Sequence, residues 1–315
     1  MASTLYLDRR GLSIGLQNKA LTLHLDGEFQ RSIPLALIGR VVCNSSVSVK
    51  TSVLASMAEQ GIGVTLFGGR KGRLAAHLGG AGTLDVERRI GQYQCYLDEN
   101  ARIVWAQRLM AHKLLRQQRL LQRALSLRPD QRLPLTRGIK RIAVLYDKLR
   151  DEPMDNRDSL RGIEGAAARH YFEAYASILP ASLEFKGRNR RPPKDPVNVL
   201  LSLGYTLLHG EVMQVLCSVG LDPWLGIYHD PAHGRASLVC DIQELYRHLV
   251  DRLVWRLLAD RVLREHHFSQ EGEACLLSKE GRALFYPQHE HLMQKLRPRL
   301  RRILLRLARA WQSGL

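Results

Sequence analysis

Residues 74–90, LAAHLGGAGTLDVERRI, divide the chain into two textures. Upstream of this stretch, Leu5/Leu7, Leu12/Ile14/Leu16 and Leu21/Leu23/Leu25 alternate with polar residues at period two, the mark of strands with one buried face. Turn-forming residues separate them: 8–11 (DRRG), 17–19 (QNK) and 26–27 (DG). A short helix is expected over 49–60, stopped by Gly61, followed by a strand at 64–67 and a hairpin whose tip is 67–73 (FGGRKGR). Downstream of 79–85 the apolar residues recur at helical spacing. The expected fold is therefore α+β: a small β-rich N-terminal domain (1–78), a Gly-rich linker (79–85) and a larger all-α C-terminal domain (86–315).

In the helical part, 86–125 reads as one long helix or a kinked pair, and a second helix is expected around 137–151. Helices at 160–179 and from Asp195-Pro196 to Gly220 follow, the latter opened by an N-cap and N1 pair. A further helix is expected over 241–265. In the tail, Leu296, Leu300, Ile303, Leu304 and Leu307 form an apolar stripe opposite Arg299, Arg302, Arg306 and Arg309, suited to packing, DNA or a partner.

Lys and Arg number 47 against 30 Asp and Glu, a formal charge of +17. Such an excess favours a polyanionic partner, nucleic acid above all. Cys43, Cys95, Cys217, Cys240 and Cys275 are scattered and form no CxxC pair, which reads as reduced thiols with neither zinc knuckle nor disulfide frame. No signal peptide and no apolar run of about 18 residues is read, so a soluble, cytoplasmic protein with no membrane partner is expected. Aromatic residues make up only 6% of the chain, too few for the stacking platform of a single-strand RNA binder.

Three carboxylates and one imidazole carry the chemistry. Glu164 heads an otherwise apolar face (Ala168, Tyr171, Tyr175), so it must be paired, capped or metal-bound. Favourable placement near the positive end of the helix is the plain alternative. His229 lies on an extended segment between helices; His233 follows in a Pro/Gly turn, which does not make an HxxxH zinc site. Asp241 and Glu244, three apart, project from one side of a helix, and a capping box accounts for them equally well locally. Carboxylates with a histidine form a ligand set for a divalent metal with open positions, which on a basic chain points to phosphodiester chemistry.

Taken in order, 46–51 (SVSVKT), 161–172 (RGIEGAAARHYF), 189–212 (NRRPPKDPVNVLLSLGYTLLHGEV), 220–230 (GLDPWLGIYHD) and 240–251 (CDIQELYRHLVD) resemble the CRISPR-associated integrase family, CRISPR-associated protein 1. The resemblance spans nearly the whole chain. It implies a metal-dependent DNA endonuclease and integrase that inserts short DNA fragments into a CRISPR array by 3′-hydroxyl attack on a phosphodiester. It makes Glu164, His229 and Glu244 the metal ligands and catalytic residues for Mg²⁺ or Mn²⁺, with Asp241 a further acid. The family's second acidic position is often Asp, and here it is Glu244. Asn198, Glu211 and Arg247 are expected to support the ligands from behind, and Asp251 falls where the family has a following Asp. Double-stranded and branched DNA, a homodimer built through the β-rich domains and a small companion protein of CRISPR adaptation are the implied partners. Lys113, Arg116, Arg119 and Arg123, spaced three and four apart, together with Arg188, Arg190 and Arg191, are the expected DNA contacts. The competing readings are a catalytically inactive DNA-binding assembly subunit and a transposon integrase of the same fold, which would carry an added helix-turn-helix.

Overall fold

The computed structural model describes residues 3–43, 46–68, 73–79, 86–189 and 192–314. Most of the expected linker, the hairpin tip, and Arg190 and Arg191 therefore lie outside the described residues.

Among the described residues, eight strands and one α-helix form the N-terminal part. Strands β1 (Ser3–Leu7), β5 (Ile38–Cys43), β7 (Gly63–Gly68) and β8 (Arg73–Leu78) make one sheet in the order β1-β5-β7-β8; its first three strands are parallel and β8 returns antiparallel. Strands β2 (Leu12–Gln17), β3 (Ala20–Leu25), β4 (Glu28–Pro34) and β6 (Val47–Val49) make a second sheet, β4-β3-β2-β6. Both tight turns of this meander are dictated by their residues. Asn18 and Lys19 (φ 50° and 59°) join β2 to β3, and Asp26 and Gly27 (φ 52° and 89°) join β3 to β4. Paired positive φ values give the turn whose twist matches the flanking strands. The alternating leucines point where their spacing predicts: Leu5, Leu7, Leu12, Ile14, Leu21 and Leu23 share one core with Val41, Val64 and the buried face of helix α1 (Thr51–Glu59). Strand β4 is almost wholly exposed, Phe29 included, and only Ile33 packs on the core, so it carries little periodicity to be read.

The described residues beyond the N-terminal part are mainly helical, with a hairpin of β9 (Phe268–Glu271) and β10 (Ala274–Leu277) that the expectation of an all-α part omitted. The long helix from residue 86 is a pair: α2 (Val86–Leu97) and α3 (Glu99–Leu127), interrupted where Asp98 accepts the amide of Ala101 as an N-cap. Then come α4 (Arg132–Asp151), α5 (Arg157–Ser177) and α6 (Pro196–Ser218). The helix expected from 241 begins four residues earlier and is two: α7 (Ser237–Glu244) and α8 (Arg247–Ala259). A 34-residue helix, α9 (Lys279–Gln312), closes the chain.

Contacts divide the chain differently from the change of texture. One compact unit holds Met1–Gln92, Gly210–Asp222 and Leu296–Leu315; the other holds Tyr93–His209 and Pro223–Lys295. The helical part is thus not one contiguous domain starting at 86. The strand-bearing unit recruits helical segments because its sheets leave apolar and charged groups to be covered. Leu296, Leu300, Leu304, Ala308 and Trp311 are buried in that unit, which explains the tail's stripe as packing; Ile303 falls off it at 42% exposure. Gly91 permits the closest approach, since a Cβ there would lie 2.5 Å from the Trp311 carbonyl oxygen.

In the same unit Glu211 of α6 meets two arginines. Arg40 Nη2 lies 2.6 Å from Oε1, and Arg297 donates to both oxygens at 2.8 and 2.9 Å. The expectation that Glu211 supports a metal ligand is corrected by this triad: its charge is spent on holding β5 and α9. Helix α6 is also long and apolar enough to cross a membrane, unlike the expectation that no such run exists. With 67% of that stretch buried and Glu211 ion-paired inside it, it is a core helix.

Candidate active site

The second unit is built on α3, α4 and α5 packed side by side. Small residues set the spacing: a Cβ on Gly138 of α4 would lie 2.6 Å from the Ala174 methyl of α5. This places Glu164, in the second turn of α5, opposite the middle of α3. There the ammonium of Lys113 lies 2.5 Å from Glu164 Oε1 and 2.7 Å from Oε2 of Glu244, the last residue of α7. Arg247, the first residue of α8, meets the other Glu244 oxygen at 2.6 Å, an i,i+3 pairing across the junction of α7 and α8. Tyr228 Oη donates to Glu164 Oε2 at 2.6 Å. Two carboxylates distant in sequence are thus bridged by one cation.

These contacts decide the ionisation. Burial alone would push the Glu244 carboxyl up, but Arg247 and Lys113 overcome it and hold the group down at about 2. Glu164 feels the same opposition of burial and Lys113, and its pKa is also lowered. Both groups are therefore anionic at neutral pH despite their burial.

His229 is positioned by the third acid. Asp241 is fully buried; Oδ2 accepts the amides of Ile227 and Tyr228 at 2.6 and 3.0 Å, and Oδ1 accepts the His229 amide at 2.9 Å and its ring Nδ1 at 2.6 Å. A carboxylate accepting from Nδ1 puts the proton of the neutral ring there and leaves Nε2 with its lone pair. Asp241 is not an N-cap, a place taken by Ala236, and its four bonds commit it to shaping the segment. Gly226 makes that curl possible, because a Cβ would meet the His229 carbonyl at 2.5 Å and Asp241 Oδ2 at 2.9 Å. The neighbouring Asp230 clamps the segment from outside, paired with Arg102, Arg157 and Arg161.

Arg247 has its own support. Its guanidinium lies 4.9 Å from the Tyr205 ring centroid, and the Tyr205 and Tyr171 hydroxyls both donate to Asp251. Burial raises the Asp251 pKa to about 6 against the pull of those hydrogen bonds and of Arg188 and Arg247. Asn198, expected behind the ligands, instead builds the loop before α6. It takes Arg188 Nη1 at 2.5 Å and donates to Gly187 O and Asp195 Oδ2, while Asp195 caps the helix through the Asn198 amide. Arg188 is drawn into that loop and stacks over Tyr205 at 5.3 Å.

The basic helix face also needs correcting. Lys113 belongs to the buried stripe of α3 with Gln117, Leu120 and Ala124, whereas Arg116, Arg119 and Arg123 are exposed. On α8, Arg252 extends that face. Its pKa is lowered chiefly by partial burial and then by Arg123 and Arg256. Tyr228, Asp230 and Arg252 are the participants that sequence reasoning missed, and Lys113 was expected to contact DNA; none has a local signal for its role, since the partners that define each lie far away in sequence.

A divalent cation asks for oxygen donors and an imidazole with room left over. Glu164 and Glu244 already share one cation, Glu244 Oε2 is buried and receives no well-aligned hydrogen bond, and the His229 ring offers Nε2. The donor set fits, although among the described residues no three acids, histidines or cysteines converge at ligand geometry. Lys113 is what stands between the glutamates.

Two glutamates gathered on one cation, beside a histidine whose Nε2 is left open, offer a donor set suited to metal-assisted phosphodiester chemistry. Residues 5–291 match the family of CRISPR associated protein Cas1. The chain is 36% identical over 300 residues to the CRISPR-associated endonuclease Cas1 1 of Thermodesulfovibrio yellowstonii, covering 94% of this chain and 92% of the relative. It is 34% identical to a Rhodospirillum rubrum CRISPR-associated endonuclease Cas1, covering 90% and 83%. Among solved structures, a CAS1 protein from Thermotoga maritima superposes with TM-score 0.83 at 24% identity (98% of this chain, 96% of that one). A casposase bound to integration product superposes with TM-score 0.86 at 20% identity (99% and 91%), a likeness of fold. The chain belongs to the Cas1 family. It is accordingly an enzyme of CRISPR adaptation, an endonuclease and integrase, and divalent-metal dependence comes with that nuclease class.

Proposed function

We propose that Glu164, Glu244 and His229 hold the divalent metal, Mg²⁺ or Mn²⁺, of a strand-transfer site acting on double-stranded and branched DNA. The observation that carries this reading is the convergence of Glu164 and Glu244, from different helices, on a single cation within 2.7 Å. Such an ion, when bound, polarises the phosphoryl oxygen and lowers the pKa of the attacking hydroxyl. The chain's own contributions are positional. Asp241 keeps the imidazole turned and protonated on Nδ1, Arg247 fixes one oxygen of Glu244, and Tyr228 fixes one oxygen of Glu164. With a DNA 3′-hydroxyl as attacker the site joins strands; with water it cleaves.

The test is strand joining by the purified protein on branched DNA with its companion protein, in Mn²⁺ or Mg²⁺, against His229→Ala. Metal-dependent joining lost in the variant, with DNA binding in the absence of metal kept, supports the reading. Tight DNA binding by a wild type inactive in either metal would favour the inactive assembly subunit. Asp241→Asn should lower joining by about 10- to 100-fold through disordered His229, with metal affinity falling in parallel. Unchanged metal affinity in that variant would remove Asp241 from the site.

Arg116, Arg119 and Arg123, extended by Arg252, form the DNA-facing surface in this reading. Reversing the charge of the three α3 arginines should reduce the slope of log affinity against log salt by about 2 to 3, near one per lost phosphate contact. An unchanged slope would take α3 out of the footprint. A homodimer through the β-rich part and assembly with the small companion protein complete the proposal. A 27%-identical structural neighbour, of which the chain covers 35%, occurs in a Cas6-RT-Cas1–Cas2 complex, which supports the companion. The enzyme would act as a soluble, cytoplasmic protein.

A further inference from the structure

Lys113 is a charged side chain with 9% of its surface exposed, set between two carboxylates contributed by α5 and α7. A buried ammonium is costly unless compensated, and here both compensating groups are the glutamates assigned to the metal. The two glutamates are already balanced by Lys113 and Arg247, and the neighbouring Asp241 spends its charge on the amides of residues 227–229 and the His229 ring. A divalent cation added to this set would leave two positive charges uncompensated at short range in a poorly hydrated place. Lys113 also lies where an ion shared by the two glutamates would have to lie, within 2.5 and 2.7 Å of one oxygen of each.

We propose that Lys113 is a built-in competitor of the metal, holding the two glutamates together in the metal-free protein and leaving their shared position when the ion enters. This rests on the assignment of Glu164 and Glu244 as ligands. Lys113 itself binds no metal; its flexible stem is what lets the ammonium withdraw. The displaced charge remains beside the site, where a phosphodiester is the anion that neutralises it. Metal and DNA therefore assist each other's binding, and by linkage each raises the other's affinity by the same factor. The metal-free site is stable without being strongly metal-loving, so loading follows DNA.

The experiment measures Mn²⁺ binding to the full chain from the electron paramagnetic resonance signal of the free ion, without DNA. Wild type is compared with Lys113→Met, which keeps the stem but removes the charge, and with Glu244→Gln. Lys113→Met should bind Mn²⁺ on the order of tenfold more tightly than wild type. The metal-free variant should melt at lower temperature, because two buried carboxylates face each other uncompensated, and Mn²⁺ should restore its melting point more than it shifts that of wild type. An affinity equal to or weaker than wild type, with binding still abolished by Glu244→Gln, overturns the role of Lys113 and leaves the ligands standing. Binding that survives Glu244→Gln unchanged overturns the ligand assignment, and this proposal with it. Lys113→Gln, which leaves a neutral hydrogen-bond donor between the carboxylates, is read by the same criteria if the methionine variant does not fold.

Discussion

Glu244→Gln is expected to abolish metal-dependent DNA cleavage and strand joining, a loss of about 10³-fold or more, while the protein stays folded and keeps the DNA binding it shows without metal. The size follows from the role: a bound metal supplies several kcal/mol of charge stabilisation in the transition state, and about 1.4 kcal/mol is a decade in rate. Glu244 is 4% exposed and held ionised by Arg247 and Lys113, with its pKa down at about 2, so its charge is available throughout the working pH range. Glutamine keeps the shape and one acceptor for Arg247 but not the charge. The proposed DNA footprint is Arg116, Arg119, Arg123 and Arg252, whereas Glu244 pairs with Lys113 and Arg247. Initial rates in Mn²⁺, with DNA affinity and melting temperature alongside, decide the matter. Activity within tenfold of wild type would show that Glu244 does not hold the metal.

Glu211→Ala should destabilise the strand-bearing unit by about 3–5 kcal/mol, the cost of leaving a buried charge without its partner. Arg40 is 2% exposed, and its guanidinium has Glu211 at 2.6 Å and Thr4 Oγ1 at 3.0 Å. Removing the carboxylate strands that charge, and Arg297 loses two hydrogen bonds as well. Replacing the buried pair together, Arg40→Met with Glu211→Leu, should be far milder, since burying apolar groups avoids desolvating two ions. Urea unfolding of the single and double variants measures both. A single-variant loss below about 1 kcal/mol would show the triad to be dispensable. Metal affinity of the folded fraction should be unchanged, which separates this structural role from the support of a ligand that the family resemblance implied.

The α+β division and most of the strands and helices were legible in the sequence, while Glu164, His229, Asp241 and Glu244 stood out as a set through the ordered segments that carry the family resemblance. The reason is physical: period-two and period-3.6 patterns are local, and a carboxylate heading an apolar helix face stands out within one or two turns. Strand β4 exposes even Phe29 and buries no full face, so it had little pattern to read, and the split between α7 and α8 falls where neither Gly nor Pro marks it. What only the tertiary structure decided was how each charge is compensated. Lys113 looked like one more member of a basic face, yet it turns inward to Glu164, 51 residues away. Glu211 looked like a neighbour of the site and proved to be the counterion of Arg40, while Asp241, which could have been a cap, became the anchor of His229. Burial strengthens every charge interaction, and which charges meet in the interior is set by helix packing across tens of residues, so no local pattern records it.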